Sequence, residues 1–465
     1  MVLADVFDCF VKQSPFTVMM RATLENVFSP DRLDAIFDRT PSRQRTGELL
    51  FSTVADLMGS VVVNVHPSVN AAYRAKADEI GVTVKSVYDK LKGIESSVCR
   101  ELVRETAGHM ASIIEKSGGK AADLLPGYRA KIVDGNHLRR TDRRIAPLRQ
   151  GNVAPLPGKS LVVYDPALRL AIDVIPCEDG HAQERSLLPE LAQTIERGDV
   201  WFADRNFCTT RFLSDFIAAQ SHFVIRQHAA TLIWELEGGQ KKIGKIETGV
   251  VHEQTMRIVA ADGKEKRIRR ITVKLDKPTR DGDNELHLLT NLPSRVNAGK
   301  IASLYRKRWK IETAFQEMAE NLQGEINTLG YPKAALFGFC MALVSYNVWS
   351  VAKATVSAAH GEEEAETLST YYVADEIAAT YRGMMIVISA TYWTQRFASL
   401  TATQMARALV GIAKGIDLKR YRKNPWTPKT RTKRKVKLTP RKHVSTARVL
   451  QQQKATSQSH KSKKR

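Results

Sequence analysis

The stretch DVWFADRNFCTTRFLSDFIAAQSHFVIRQH, residues 199–228, decides the fold. DVWFADRNF is a short apolar run that ends at Asp204, which is typical of a buried strand followed by a polar turn. TTRFLSDFIAAQ has helical periodicity, and SHFVIRQH is a second apolar run. A strand, a helix and a strand in this order predict two parallel strands joined by a crossover helix.

Three further strands are predicted upstream, in AKIVDGNHL, SLVVYDPA and RLAIDVIPCED. The next segment, QERSLLPELAQTIERG, has the pattern of an amphipathic helix closed by Gly198. The order of elements is therefore β-β-β-α-β-α-β, an antiparallel three-strand meander extended by parallel strands. This order predicts an α/β protein with a ribonuclease-H-like core.

The region after the second parallel strand changes in character. Segments such as VVHEQTMRIVAA and KRIRRITVKL alternate apolar and polar residues, and helical patterns resume at NAGKIASLYRKRWKIETAF. We expect a helical N-terminal DNA-binding domain at 1–115, a catalytic core at 125–229 and 291–350, an all-β insertion of five or six strands at 230–290, C-terminal helices at 351–415 and a disordered basic tail at 416–465.

Charge is the most unusual feature of the composition. The 465 residues carry a formal net charge of +22, which favours a polyanionic partner. Residues 416–465 hold 18 Lys or Arg against the single acid Asp417, so the tail accounts for most of this charge. Its Pro, Thr, Lys and Arg show no apolar period, which predicts a disordered segment that binds nucleic acid.

The segment AAYRAKADEIGVTVKSVYDKLKGI, residues 71–94, has the spacing of a helix-turn-helix. Ala77 would lie in the first helix and Gly81 in the turn. Lys85 and Tyr88 would then lie on the outer face of a recognition helix and contact DNA. A structural helix pair fits the same spacing.

Two other features limit the compartment. The five cysteines form no C-x-x-C pair, and MVLADVFDCF lacks the pattern of a signal peptide, so we expect a reducing cytoplasm. Residues 334–356 are apolar for nearly the length of a membrane span but include Asn347 and Lys353. A buried core helix fits them better than a membrane helix, and we expect no membrane partner.

Three acids could form one site. Asp134 and Asp204 each follow an apolar strand, and Glu312 lies on a helix after the β-rich region. Strand ends are where α/β folds carry their chemistry, and converging carboxylates in a basic protein need a cation such as Mg²⁺ or Mn²⁺. Each acid also has a structural explanation on its own: Asp134 as a turn residue, Asp204 as a helix cap, and Glu312 as the partner of Arg308.

These residues and the segments around them resemble a known family. Tyr305, Arg308 and Glu312 have the spacing of the Y-x2-R-x3-E-x6-K signature, and IVDGNHL, WFADRNF and HLLTNLP are similar to segments of the same proteins. Over residues 125–350 the chain resembles the DDE transposases of bacterial insertion sequences, in the Y-R-E-K signature group (insertion-sequence family four). The resemblance implies a catalytic triad of Asp134, Asp204 and Glu312 that binds two Mg²⁺ ions, for which Mn²⁺ can substitute.

The resemblance also implies contacts with DNA. Tyr305 and Arg308 would touch the phosphate or the flanking strand at the cleaved transposon end, and Arg226 would be a further phosphate contact. Trp309 matches an aromatic position that holds a flipped base in relatives that form a DNA hairpin. The signature lysine is replaced by Ala319. Either another cation, such as Lys307, Lys310 or a tail residue, holds that phosphate, or the hairpin step differs.

The expected function is therefore metal-dependent cleavage at the ends of an insertion sequence and transfer of the 3′-OH into target DNA. Double-stranded DNA and a second copy of the chain, in a synaptic complex, are the expected partners, in the bacterial cytoplasm at the nucleoid. The rival interpretations are a ribonuclease-H-like nuclease or resolvase and a catalytically silent DNA-binding protein derived from a transposase.

Overall fold

The computed structural model describes residues 2–40, 43–44, 46–139, 141, 145–149, 153–228, 230–279, 282–424 and 442–462, without the side chains of residues 2, 309, 321, 442 and 456–462. It is a mixed α/β fold with a large sheet and many helices, consistent with a ribonuclease-H-like core. Its strands are β1 (Arg129–His137), β2 (Val153–Leu156), β3 (Lys159–Asp165), β4 (Leu170–Cys177), β5 (Asp199–Ala203), β6 (His222–Arg226), β7 (Trp234–Ile246), β8 (Gly249–Val259), β9 (Glu265–Leu275), β10 (Glu285–Thr290) and β11 (Lys442–Ser445).

The helices lie before, between and after these strands. They are α1 (Val2–Gln13), α2 (Pro15–Val27), α3 (Pro30–Arg39), α4 (Phe51–Val62), α5 (Val69–Ala75), α6 (Val84–Gly93), α7 (Ser96–Ser117), α8 (Leu188–Ala192), α9 (Thr210–Ala218), α10 (Ala298–Tyr305), α11 (Trp309–Asn321), α12 (Pro332–His360), α13 (Glu362–Glu366), α14 (Thr370–Val387), α15 (Ala390–Trp393), α16 (Ala402–Lys414) and α17 (Thr446–Ser462).

The main sheet has the strand order β4-β3-β1-β5-β6-β10-β9-β8-β7. β3 runs antiparallel to both β1 and β4, whereas β5 is parallel to β1 and β6 is parallel to β5. The meander and the parallel extension predicted from residues 129–228 are therefore both present. The helix predicted at residues 183–198 is shorter, because a 3₁₀ turn at Glu184–Leu187 precedes α8, where Pro189 in the first turn lacks the N–H of a continuous helix.

Apolar residues alternate between the two faces of this sheet. Ile132 and Phe202 belong to the core shared with α7 and α12, whereas Val133 and Trp201 belong to the core under α8 and α9. Parallel strands covered by helices on both faces bury nearly all of their side chains, which explains why the strand segments are almost wholly apolar.

The β-rich region extends the main sheet. Four strands, β7 to β10, follow β6 among the described residues, where the sequence predicts five or six. LIWELEGG and KKIGKIETG fall largely in the single strand β7, because the glycines there produce register shifts against β8 and not a turn, with Gly238 at φ +66°. β10 pairs with β6, so this region is continuous with the core sheet.

The N-terminal helices also pack differently from the prediction of a separate domain. Residues of α2, α4 and α7 share one hydrophobic core with α12 and α16. Asn26 in α2 donates hydrogen bonds to the carbonyl oxygens of Phe397 and Leu400 at 2.8 and 2.9 Å. The apolar faces of the N-terminal helices therefore pack against those of α12 and α16. Composition along the chain does not reveal this packing.

The predicted helix-turn-helix corresponds to α5 and α6. Val87 and Leu91 are fully buried, as expected for the inner face of α6, and Lys85 is exposed. Ala77 lies beyond the end of α5, so the first helix is shorter than predicted. Tyr88 is half-buried against the core, which leaves part of its ring accessible.

Helix α12 contains the apolar run that is long enough to cross a membrane. Its apolar window is 94% buried inside the protein. The helix passes between α7, α4 and α16, and its Asn347 side chain bonds to the backbone of Ala171 in β4. The core interpretation of residues 334–356 therefore fits the structure.

The basic tail is partly ordered, in contrast to the prediction. Residues 418–421 form a 3₁₀ turn, β11 pairs in parallel with β2, and α17 follows. Arg448 pairs with Asp179 at 2.7 Å, and Ser445 and Thr446 are buried. These contacts with distant residues order a segment that has no apolar period of its own. Residues 425–441 lie outside the described part of the chain.

A histidine links α7 to α2 and α3 and makes stability depend on pH. His109 Nε2 donates to Asn26 Oδ1 at 2.7 Å, and Nδ1 accepts from Arg32 at 2.9 Å. Burial and the nearby Arg32 lower the pKa of His109 to about 4. In a protonated ring, the N–H at Nδ1 would face the N–H donor of Arg32, so the neutral form of His109 is favoured.

We expect the free energy of unfolding to fall as pH decreases from 6.5 to 4, because only the unfolded chain binds a proton at His109 in this window. The loss at this site is about 2 kcal/mol. Urea unfolding at several pH values measures it. His109→Gln should lack this part of the pH dependence, whereas the exposed control His181→Gln should retain it. An unchanged pH profile in His109→Gln would contradict the assignment.

Candidate active site

Parallel pairing brings Asp134 and Asp204 to the same edge of the sheet. The last parallel pair of β1 and β5 joins Ile132 and Phe202, so Asp134 and Asp204 each lie two residues beyond it. Asp204 directly follows β5, whereas β1 continues past Asp134 to His137, paired only with β3. Asp204 also accepts a hydrogen bond from the backbone N–H of Asn206 at 2.7 Å. The capping role considered for Asp204 is therefore real, but the cap starts a 3₁₀ turn, and Thr209 caps α9.

Helix α11 brings the third acid to this edge. α11 packs on β1, and Glu312 lies in its first turn. Arg308, just before α11, donates to Asp134 Oδ2 at 2.6 Å and to Glu312 Oε1 at 2.8 Å. One guanidinium therefore joins the first and third predicted acids, and the predicted Arg308–Glu312 pair is part of the site.

The pKa values at this site reflect the partial burial of the acids and their closeness to one another and to Arg308. Burial raises the pKa of Asp134 to about 6, the Arg308 cation opposes this shift, and Asp204 and Glu312 add to it. Burial lowers the pKa of Arg308, but Asp134, Tyr305 and Glu312 raise it by more. The net upward shift means that Arg308 offsets the effects of burial and of the neighbouring acids on the pKa of Asp134 only in part.

Tyr305 lies beneath this cluster at the end of α10. It is 8% exposed, and burial raises the pKa of its hydroxyl to about 12, so the phenol stays protonated at neutral pH. Arg308 also hydrogen-bonds to this hydroxyl. The predicted face of Tyr305, Arg308 and Glu312 is therefore assembled around the guanidinium.

The acids suit a hard cation by their chemistry, since carboxylate oxygens are the preferred ligands of Mg²⁺ and Mn²⁺. Within the described residues, however, no three His, Cys, Asp or Glu side chains lie close enough to hold a metal ion as they stand. The Arg308 guanidinium is the positive group that bridges Asp134 and Glu312. The donor set fits a divalent cation, provided that Arg308 gives up these two contacts.

The other predicted DNA contacts are spread over several elements. Arg226 ends β6 near Tyr305 and pairs with Asp283 at 2.6 Å. Lys85 and Tyr88 lie on α6, which packs on α12 in the helical layer. The Trp309 side chain lies outside the described residues.

The missing signature lysine leaves an exposed Ala319 on α11. Of the substitutes considered, Lys310 interacts with Arg169 and Glu366, the group that joins the β3–β4 turn to α13. Lys307 lies beside Lys310 and is exposed. Lys310 is therefore engaged with the Arg169–Glu366 group, whereas Lys307 has no ion pair with an acid among the described residues.

A fourth acid, Glu184, lies at the site, although the sequence pattern places it only near the start of the predicted helix at residues 183–198. Glu184 accepts from the Asn206 side chain at 3.2 Å and lies against Gly135, where an added Cβ would come within 2.2 Å of its Oε1. No spacing in the sequence indicates this contact, because Glu184 approaches from a separate turn.

A separate cleft lies away from the three acids. A cleft of about 430 Å³ opens at the other end of β1, between α7 and the end of β3. The ion pair between Arg129 and Asp165, at 3.0 Å, forms part of its wall. This cleft has no connection with the three acids.

Comparison with known proteins agrees with the geometry of the site. No curated protein is similar enough to the chain to count as a match. Residues 126–348 match the family model of the transposase DDE domain, a range that extends from just before β1 into α12 and includes Asp134, Asp204 and Glu312. The matched segment is thus similar to a transposase DDE domain, which supports a DDE transposase that acts on DNA.

Proposed function

We propose that the protein is a DNA transposase that cleaves DNA at the ends of an insertion sequence and joins the freed 3′-OH to target DNA. The observation that carries the proposal is the convergence of Asp134 and Asp204, in register on parallel strands, with Glu312 through Arg308. The family match over the same segment supports it.

Asp134, Asp204 and Glu312 would hold the divalent cations, two Mg²⁺ ions or Mn²⁺ in their place. When bound, such ions supply a strong nucleophile at neutral pH and stabilise both oxygens of an in-line displacement at phosphorus. The three acids would take this role because Asp134 and Asp204 lie just beyond the last parallel pair of β1 and β5, and Glu312, at the start of α11, is joined to Asp134 through Arg308.

Arg308 has two tasks in this proposal. In the free protein it offsets the charge of Asp134 and Glu312. Once other cations offset the charge of Asp134 and Glu312, the N–H donors of Arg308 are available for phosphate oxygens. Guanidinium groups bind such oxygens in a bidentate manner. The protonated Tyr305 hydroxyl is a second donor beside it.

The chemistry consists of two displacements. Water attacks phosphorus at the element end and releases a 3′-OH, with a 5′-phosphate on the other fragment. The 3′-OH then attacks a second phosphodiester, in target DNA or in the opposite strand to give a hairpin, and displaces its 3′-oxygen. The second step conserves the number of phosphodiester bonds, so no protein–DNA bond is required.

The rest of the chain would handle DNA. The excess positive charge favours phosphate binding, and the exposed side of α6 with Lys85 would read the end sequence. Cleavage of both ends calls for a homodimer in a synaptic complex, in the cytoplasm at the nucleoid. A nuclease or resolvase would cut without joining, and a silent descendant would bind without cutting.

The first test is Glu312→Gln. It should bind cognate end DNA normally but cleave it at least about 100-fold more slowly in Mg²⁺, because a carboxylate ligand is worth several kcal/mol of transition-state stabilisation. Gel assays with end DNA and a target plasmid measure binding, cutting and joining. The matched control is Glu320→Gln, on the same helix and bonded only to Gln316 in the described contacts. Binding without any cutting by the wild type in Mg²⁺ or Mn²⁺ would refute the proposal, and cutting without joining would favour a nuclease.

The second test concerns Arg308→Ala. Loss of the guanidinium leaves Asp134 and Glu312 uncompensated, so we expect the free energy of unfolding without metal to fall by about 1–3 kcal/mol. Millimolar Mg²⁺ should raise the Tm of the variant more than that of the wild type, because the cation replaces the lost charge. Arg267→Ala, at an exposed position, is the control. An equal Mg²⁺ response in variant and wild type would count against a shared cation position.

The third test concerns the basic tail. Replacing the six Lys or Arg between residues 429 and 437 by Gln should weaken DNA binding and reduce the slope of log K against log salt by up to about 0.9 per lost phosphate contact. Titration of DNA binding at several salt concentrations measures the slope. An unchanged slope would mean that this segment does not contact the DNA backbone.

A further inference from the structure

We infer that Glu184, together with Arg185, is a positioning residue for Asp204 and acts through Asn206. The inference rests on the proposed function, since it assigns a role at the same site. Glu184 contacts neither the reacting atoms nor Asp204 itself. It fixes the turn that carries Asp204.

The contacts form a short chain. The Asn206 backbone N–H donates to Asp204 Oδ1 at 2.7 Å, and the Asn206 side chain donates to Glu184 Oε2 at 3.2 Å. Arg185 Nε donates to the Asn206 carbonyl oxygen at 3.1 Å. Asn206 is thus held at its amide side chain and at its carbonyl while its N–H orients Asp204.

The same carboxylate approaches the first acid. Gly135 follows Asp134, and its N–H donates to Asp134 Oδ1 at 2.9 Å. A Cβ at Gly135 would come within 2.2 Å of Glu184 Oε1, so a larger residue at this position would displace the Glu184 carboxylate. The half-buried Glu184 therefore lies between the residues that orient Asp134 and Asp204.

Local structure explains why Glu184 can reach this position. The 3₁₀ turn at Glu184–Leu187 packs against the 3₁₀ turn at Arg205–Phe207 that follows β5. Both turns lie at the carboxyl ends of the strands. Had the helix begun at residue 183, as the sequence suggests, Glu184 and Arg185 would follow a different path.

Glu184 would act by reducing the number of orientations that the Asp204 side chain can adopt. An aspartate on a polar turn samples several orientations, and each must be excluded before its oxygens can act as ligands. Groups that orient ligands in this way contribute about 10–100-fold to metal affinity or activity. Glu184 needs only its acceptor oxygen for this task, so a glutamine should replace it.

The experiment compares Glu184→Ala and Glu184→Gln with the control Glu190→Ala, an exposed acid on α8 that bonds to Arg100. Free Mn²⁺ is measured by electron paramagnetic resonance in the full-length protein without DNA, and end cleavage is measured separately. We expect Glu184→Ala to lose about 10-fold in Mn²⁺ affinity and cleavage rate, with end-DNA affinity unchanged. Glu184→Gln should recover most of both.

A double-variant cycle tests the path. If Glu184 acts through Asn206, then Glu184→Ala combined with Asn206→Ala should lose no more Mn²⁺ affinity than Asn206→Ala alone. Additive losses, or a glutamine variant as weak as the alanine variant, would overturn the inference. So would wild-type Mn²⁺ affinity in Glu184→Ala.

Failure of the proposed function has a different signature. Asp204→Ala is measured alongside and should abolish Mn²⁺ binding and cleavage. If it does so while Glu184→Ala behaves as wild type, only the positioning role is lost. If the wild-type protein neither binds Mn²⁺ nor cuts DNA, the proposed function itself fails.

Discussion

The parallel pairing of β1 with β5 is the constraint on which the rest of the structure depends. It sets Asp134 and Asp204 at equal height on one edge of the sheet. Parallel strands must be covered on both faces, so α7 and α12 pack on one face and α8 and α9 on the other. The carboxyl edge is then the natural opening for a site, and α11 approaches it across the first of these faces.

Charge is balanced at this edge by a residue of the chain itself. Asp134 is drawn toward its protonated form by burial and by the neighbouring acids, and Arg308 opposes this with bonds to Asp134 and Glu312. A site arranged in this way favours any cation that can take over the role of the guanidinium. The arrangement therefore connects metal affinity, the protonation of Asp134 and the freedom of Arg308 to contact phosphate.

The helical layer has a consequence for how DNA would be handled. The N-terminal helices share a core with α12 and α16, and Asn26 bonds to the backbone near Leu400. A DNA-reading surface on α6 would therefore be fixed relative to the strand ends and not attached by a flexible linker. End recognition and catalysis would then depend on one rigid geometry, with β11 tying the last described segment to β2.

Much of the core was predictable because its signals are local. The apolar parts of β1 and β5 that precede Asp134 and Asp204, and the helix between residues 210 and 218, are visible as apolar runs and periodicity. The spacing of Tyr305, Arg308 and Glu312 also lies within three turns of chain. The strand count after residue 230 was less predictable, because paired glycines indicate a bulge and a turn equally well.

The sequence by itself determined the order of strands in the core, the three acids and the excess of positive charge. Tertiary structure alone decided that Arg308 bridges Asp134 and Glu312, that Glu184 holds Asn206, and that residues 442–462 are ordered. The reason is physical. Strand and helix signals come from neighbours in the chain, whereas these contacts join side chains that meet only after the sheet, α11 and the 3₁₀ turns have packed.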